Sequence, residues 1–152
     1  VPMDAIKFLE QEHEKAKAAF GKLLEAPPAE RGRLWKALQP ELKAHEELEE
    51  ACLYGPIESD GVGDGKLSSW VSARHEEQVR EVEGLIAQTE RLEPKEPRWL
   101  ATVRQIHDAL QRHIREEEGE IFPRIARAWD RARLERAGAE MGDVKPGKAA
   151  RR

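Results

Sequence analysis

Apolar residues recur every three or four positions along most of the chain, and this spacing predicts amphipathic helices. The sequence is rich in Glu, Ala, Leu, Lys and Arg, which favour helix. Three stretches rich in proline or glycine, APPAERG, GPIESDGVGDGK and LEPKEP, interrupt the pattern. The predicted helices are Asp4–Glu25, Ala29–Tyr54, Leu67–Leu92 and Arg98–Phe122, followed by a shorter helix over about Arg124–Glu140.

Helices of about 25 residues are roughly 37 Å long, and four of them with short connections pack as an up-down-up-down bundle. We therefore expect an all-α protein whose four-helix bundle spans residues 3–123. A short C-terminal helical extension and a basic tail should follow over residues 124–152. The stretch GPIESDGVGDGK should end the second helix, and Pro123 should break or kink the fourth.

Each of the four long helices carries a histidine in the middle of its apolar stripe. Two of the helices also carry a glutamate one turn later. These candidate metal ligands are His13, His45, Glu49, His75, His113 and Glu117. One such histidine is usually a hydrogen-bonded core residue, but buried carboxylates need a charged partner or a metal. Because no Lys or Arg occupies the matching positions of the other stripes, the set favours a metal site.

The spacing within the set indicates how many metals it would hold. His45 and Glu49, like His113 and Glu117, are four residues apart, which places both side chains on one helix face about 5–6 Å apart. Four imidazoles and two carboxylates exceed the four ligands of a zinc ion. They suit two metals bridged by the glutamates, and the donor types favour iron over manganese or zinc. The ferritin-like Glu-x-x-His spacing occurs here only at Glu10–His13, so that alternative lacks its second copy.

These motifs, in this order, resemble the hemerythrin-like (HHE cation-binding) domains. The matching segments are QEHEKA with His13, KAHEELEE with His45 and Glu49, SARHEEQ with His75, and QRHIREEEGEIFP with His113 and Glu117. The resemblance covers about residues 3–123. It implies a non-heme centre of two iron ions joined by an oxo, hydroxo or water bridge. Glu49 and Glu117 would also bridge the ions, and the four histidines would be terminal ligands.

The third helix departs from the pattern of the oxygen-carrying hemerythrins, which have five histidine ligands. Two of those histidines lie four residues apart on that helix, whereas here Val71 and Val79 flank His75 at that spacing. Glu46 is a candidate for the missing ligand. Tyr54 could place a phenol near the site, but a core aromatic is the favoured interpretation. An extra open position suits peroxide or nitric oxide chemistry better than reversible dioxygen carriage.

Composition limits the other classes of function. More than a third of the residues are charged, but the net charge is only −4, which argues against a nucleic-acid-binding surface. Residues 131–152 hold seven Lys or Arg against three Asp or Glu, and we interpret them as a solvated end. No apolar run approaches the ~20 residues of a membrane span. The single cysteine, Cys52, fits a reducing, cytoplasmic location.

We expect a protein that reacts with, or binds, a small oxidant or diatomic gas, with a role in the response to oxidative stress. A peroxide-decomposing enzyme, a binder of dioxygen or nitric oxide, and an iron sensor all stay open. The alternative without metal is a plain helical interaction module. No nucleic-acid or membrane partner is expected, and the chain should be a monomer or a weak homo-oligomer.

Overall fold

The computed structural model describes residues 3–60 and 65–144, and its regular elements there are all helical. The α-helices are α1 (Ala5–Glu25), α2 (Pro28–Glu49), α3 (Gly55–Asp60), α4 (Gly65–Glu90), α5 (Pro97–Glu116), α6 (Phe122–Ala128) and α7 (Arg131–Val144). Two π-helical turns, the first π segment Glu50–Tyr54 and the second π segment Glu117–Ile121, join α2 to α3 and α5 to α6. The described residues therefore form five continuous helical segments, which confirms the all-α prediction.

Local chemistry explains where several helices begin. Asp4 caps α1, because its side chain accepts a hydrogen bond from the Lys7 backbone N–H at 2.9 Å. Pro28 and Pro97 each stand in the first turn of a helix, where a missing N–H costs nothing. Asp130 in turn caps the last helix by accepting from the Arg133 N–H at 2.8 Å. The predicted helix over 124–140 is therefore two helices, α6 and α7.

The expectations that GPIES ends the second helix and that Pro123 breaks the fourth are wrong, because the chain stays helical through both. The second helical segment does not end at GPIES but continues through α3 to Asp60, and Pro123 lies inside the first turn of α6. Each proline follows a π segment, whose backbone N–H groups bond five residues back instead of four. Where the π segment returns to α-helical hydrogen bonding, one backbone carbonyl is left without an N–H donor in any case. A proline, which has no N–H, therefore fits at that point. Residues 61–64 of the same stretch lie outside the described residues.

The apolar side chains form two separate clusters along the helices. The first cluster includes Leu9, Leu48, Leu53, Val71, Ile121, Ile125, Leu134 and Met141. The second cluster includes Phe20, Leu23, Trp35, Leu38, Leu42, Val82, Trp99, Val103, Ile106 and Ala109. A polar layer lies between them, and it contains the histidines and glutamates singled out above.

The C-terminal helices contribute to the first cluster. Ile125 of α6 and Leu134 and Met141 of α7 are buried in it, and α7 packs against α1. Gly138 makes the close approach possible, because a Cβ there would collide with the backbone of Met3 and Asp4. Residues 145–152 of the predicted basic tail lie outside the described residues. Across the described ranges, no helix is both long and apolar enough to cross a membrane.

Candidate metal centre

The site lies where each long helical segment passes from the first cluster to the second. On α1, His13 stands between Leu9 of the first cluster and Phe20 of the second. Glu49 is the last residue of α2 and Glu117 is the first residue of the second π segment, and each is less than 5% exposed. Apolar packing above and below thus holds these polar side chains away from water.

Four of the six predicted ligands form a compact group. One nitrogen or oxygen atom from each of these four residues lies within 4.8 Å of the others: His13, His45, Glu49 and Glu117. His13 Nε2 is 3.3 Å from Glu117 Oε1, and His45 Nε2 is 3.3 Å from Glu49 Oε1. The i, i+4 spacing of the second helical segment therefore brings both of its predicted ligands to the group.

The other two predicted ligands, His75 and His113, face the same cavity but pair with outer carboxylates. His75 Nε2 lies 3.6 Å from Glu50 Oε2, and His113 Nε2 lies 2.9 Å from Glu81 Oε1. All six predicted ligands line one cavity of about 330 Å³. The fold therefore gathers the six side chains around a common space, and four of them are within a single ion's reach.

Unsatisfied atoms show that the group fits a cation. His13 Nε2 and Glu49 Oε2 are buried and make no hydrogen bond, which is costly for polar atoms inside a protein. The other ring nitrogen of His13, Nδ1, lies 2.7 Å from Glu118 Oε2. This carboxylate–histidine contact turns Nε2 toward the group, as carboxylates do for metal-bound histidines. Imidazole and carboxylate donors of this kind suit iron, manganese or zinc.

The two central carboxylates, Glu49 and Glu117, differ in pKa. Burial, together with the neighbouring Glu117, raises the pKa of Glu49 well above its usual range. Burial also opposes ionisation of Glu117, but the adjacent Glu49 and the His13 ring, whose Nε2 lies 3.3 Å from Glu117 Oε1, bring the pKa of Glu117 down to about 2. Two buried carboxylates side by side therefore favour one negative charge over two. A metal cation would offset the charge of both, since metal ligands bind deprotonated.

The histidines differ in protonation. Burial lowers the pKa of His45, His75 and His113, so these rings are neutral at pH 7 and have a lone pair to give. The pKa of His13 is raised, because its interaction with Glu117 outweighs the effect of burial. Three neutral imidazoles, together with the His13 ring beside Glu117, therefore make a donor set that suits a metal.

Tyr54 is a residue beside the ligand group whose position sequence reasoning undervalued. Its hydroxyl donates a 2.6 Å hydrogen bond to Glu117 Oε2, its ring centroid lies 4.3 Å from that of His75, and it is 1% exposed. It stands five residues after Glu49, and Phe122 stands five after Glu117. The Phe122 ring stacks on His13 at 6.0 Å. An aromatic residue five positions after each glutamate was the signal available in the sequence.

The family model of the hemerythrin HHE cation-binding domain matches residues 4–125. The chain belongs to this family. A crystal structure of another hemerythrin HHE cation-binding domain-containing protein, the Rv2633c homolog from Mycobacterium kansasii, is similar to it with a TM-score of 0.79. The two are 26% identical, and the match covers 97% of this chain and 88% of the other. No curated protein matches the chain.

Two positions distinguish this HHE domain from the five-histidine pattern of the oxygen carriers. Val79, which stands where a fifth histidine would follow His75, lines the cavity and leaves room in it. Glu46 also lines the cavity, and burial together with Glu83 raises its pKa to about 7. Glu46 is not in the four-residue group, and its role as an additional ligand stays a prediction.

Proposed function

We propose that this HHE domain binds two iron ions and reacts with small oxidants, foremost peroxide, as part of a response to oxidative stress. The observation that carries the proposal is the buried group of His13, His45, Glu49 and Glu117. Two of its donor atoms have no hydrogen-bond partner and lie beside a cavity. His75 and His113, on the same cavity, would complete the ligand set. The proposal includes an up-down-up-down order of the long segments, which the contacts of α1 with α2 and of α4 with α5 support.

Each side chain would have a distinct part. Glu49 and Glu117, whose adjacent buried carboxylates need a cation, would bridge the two ions, and the histidines would hold the ions from both sides. Glu118 fixes the His13 ring, and the Tyr54 phenol supplies a further oxygen beside Glu117 in place of a fifth histidine. Two adjacent iron ions supply redox chemistry and Lewis acidity toward an O–O bond. The two apolar clusters flank this layer.

An iron sensor or a gas binder without turnover is the second candidate. The two adjacent buried carboxylates of Glu49 and Glu117 favour it, because a metal that offsets their charge couples metal uptake to the stability of the fold. A binder would form a stable adduct with dioxygen or nitric oxide and would leave peroxide intact.

The deciding experiment starts with the iron content of protein expressed in iron-rich medium without a chelating tag. We expect about two irons per chain, and oxygen release from hydrogen peroxide that Glu117→Ala abolishes. Glu120→Ala, an exposed glutamate of the same π segment, should leave both results unchanged. Two irons with a stable gas adduct and no peroxide turnover would favour the binder. One zinc, or no metal, would overturn the proposal.

A further inference from the structure

The cavity beside the ligand group is larger than a small oxidant needs. Its volume is about 330 Å³, whereas a water molecule takes roughly 30 Å³ of liquid volume, and an apolar protein cavity of about 150 Å³ holds benzene. Beyond the ligand group it is lined by apolar side chains of α1, α2 and α5: Ala16, Phe20, Leu38, Leu42 and Leu110. The whole cavity, which includes the ligand group, therefore has the size of a site for an organic molecule, and its apolar part has the lining of one.

One polar group in this wall has no partner inside the protein. The Gln78 amide nitrogen is buried and makes no hydrogen bond, and Gln78, itself 9% exposed, lines the cavity. A buried amide donor left without an acceptor costs free energy, so an acceptor supplied by a ligand would be favoured. A ligand that fits this wall would therefore have an apolar body and an oxygen atom that accepts a hydrogen bond.

Charge along the wall favours a neutral ligand. Five glutamates line the cavity, Glu12, Glu41, Glu46, Glu49 and Glu117, against the two lysines Lys15 and Lys17. An organic anion would meet this acidic surface, whereas a neutral molecule would not. The exposed members of the lining, Lys15 and Glu41, lie on α1 and α2, which places an opening between these two helices.

We propose that the cavity binds a small neutral organic molecule, with its apolar body among Phe20, Leu38 and Leu110 and its oxygen accepting from Gln78. The class includes ketones, alcohols and organic hydroperoxides of about the size of a substituted benzene ring. This site adjoins the metal ligands but does not need the metal, so it stands apart from the oxidant chemistry proposed above.

Acetophenone is a suitable probe, because it is neutral, aromatic and only an acceptor. Titration of the metal-free full chain, followed by calorimetry and by amide and methyl NMR shifts, should show one molecule per chain. We expect a dissociation constant of about 1 mM or below, the range of a ligand of this size. The shifted signals should be those of Phe20, Leu38, Gln78 and Leu110. No binding, or shifts confined to other residues, would overturn the proposal.

Variants distinguish binding of the probe in this cavity from its nonspecific partitioning into the protein. Gln78→Met keeps the side-chain length without the donor and should weaken binding by about fivefold, the contribution of one hydrogen bond. Gln88→Met, an exposed glutamine of the same helix, is the matched control and should bind as the parent does. Leu38→Trp should abolish binding by filling the cavity, and the smaller change Leu110→Phe gives the same test if that variant does not fold. Binding that none of these changes affects would contradict the proposal.

A zinc-loaded sample distinguishes the cavity from the metal position itself. Because zinc has no redox chemistry, the probe stays intact during the titration. We expect acetophenone to bind zinc-loaded protein with an affinity within about threefold of that for metal-free protein. Loss of binding on zinc addition would mean that the probe had occupied the ligand group, and it would overturn the assignment.

Discussion

Three consecutive glutamates show how far position decides the role of a residue. Glu116 forms a two-pronged ion pair with Arg74, whose Nη2 lies 2.7 Å from its Oε2. Glu117 is buried in the ligand group, and Glu118 holds the His13 ring. The sequence singled out only the middle one, through its spacing from His113. Its neighbours have the same chemistry, but they act on partners from other helices.

Replacing Tyr54 with Phe should weaken metal binding. The change removes a single oxygen and leaves ring packing in place, but Glu117 Oε2 loses its donor and the centre loses a candidate oxygen ligand. We expect metal affinity to fall by about tenfold or more, as for other groups that support metal ligands. Competition with a chelator measures this. The ferric protein gives a second readout: the chain has one tyrosine, so any phenolate-to-iron absorption must vanish in the variant. Unchanged affinity and absorption would exclude Tyr54 from the centre.

Glu46 should make the metal-free protein less stable as the pH rises. Its folded pKa, about 7, is above the ordinary value of 4.5, so deprotonation costs more in the folded state. Its contribution is complete below about pH 4.5 and is lost as the pH rises through about 7. Converted in full, this difference in pKa corresponds to about 3 kcal/mol of the free energy of unfolding. Solvent screening at this partly exposed residue reduces the contribution to about 1–2 kcal/mol.

Urea unfolding at pH 5 and pH 8 tests this expectation. Between pH 5 and pH 8, the Glu46→Gln variant should lose about 1–2 kcal/mol less of its free energy of unfolding than the parent protein does. Glu47→Gln, at the exposed neighbouring residue, should behave as the parent protein does. Parallel behaviour of all three proteins would show that Glu46 ionises normally.

At the level of the elements, the two π segments set the geometry of the site. Five residues of α-helix turn the chain by 500°, which would leave Tyr54 about 140° away from Glu49 around the axis. In a π turn the N–H groups bond five residues back, so residue 54 comes round close to the direction of residue 49. The Gly55 N–H bonds to Glu50 O, and the Phe122 N–H bonds to Glu117 O. The same device therefore brings Tyr54 and Phe122 to the ligands.

The packing of α7 on α1 should be sensitive to one methyl group. At Gly138 a Cβ would collide with the Met3 carbonyl oxygen and the Asp4 carbonyl carbon, which are backbone atoms that cannot simply rotate away. We expect Gly138→Ala to lower the free energy of unfolding by about 1–3 kcal/mol. Gly142→Ala is the control in the same helix, because nothing lies within 4 Å of the added Cβ. It should stabilise the helix by up to about 1 kcal/mol. Denaturant titration of both variants measures the difference, and equal effects would refute the close approach.

Across the whole molecule, a polar layer separates two apolar clusters. Each cluster buries side chains from several helices and stabilises the packing of those helices. The layer between them contains two adjacent carboxylates and four imidazoles, a combination that gains little from packing. The stability of the fold should therefore depend on what occupies this layer.

Removing the metal should lower the melting temperature. A ligand at 100 times its dissociation constant stabilises a protein by about 2.7 kcal/mol, which corresponds to about 5–10 °C for a chain of this size. Calorimetry of iron-loaded protein before and after chelation measures the shift. Glu117→Ala, which lacks a proposed ligand, should melt at the same temperature with and without chelator. A melting temperature that chelation leaves unchanged in the parent protein would refute the coupling.

The sequence by itself determined the helical class, the approximate starts of the long helices and the grouping of His13, His45, Glu49 and Glu117 as candidate ligands. These follow from spacing along one chain, because an α-helix repeats every 3.6 residues and places i and i+4 side by side. The family followed from the order of the same motifs and is confirmed.

Only the tertiary structure decided the rest. The hydrogen bond from Tyr54 to Glu117, the unpartnered amide of Gln78 and the contact at Gly138 all depend on how the helices meet. The sequence ended the second helix at Tyr54, because a stretch rich in glycine and proline follows, and it favoured a core role for Tyr54. Spacing along one chain does not show which side chains of other helices lie nearby. The hydrogen bond from Tyr54 to Glu117 joins residues 63 positions apart, so it forms only when the helices pack.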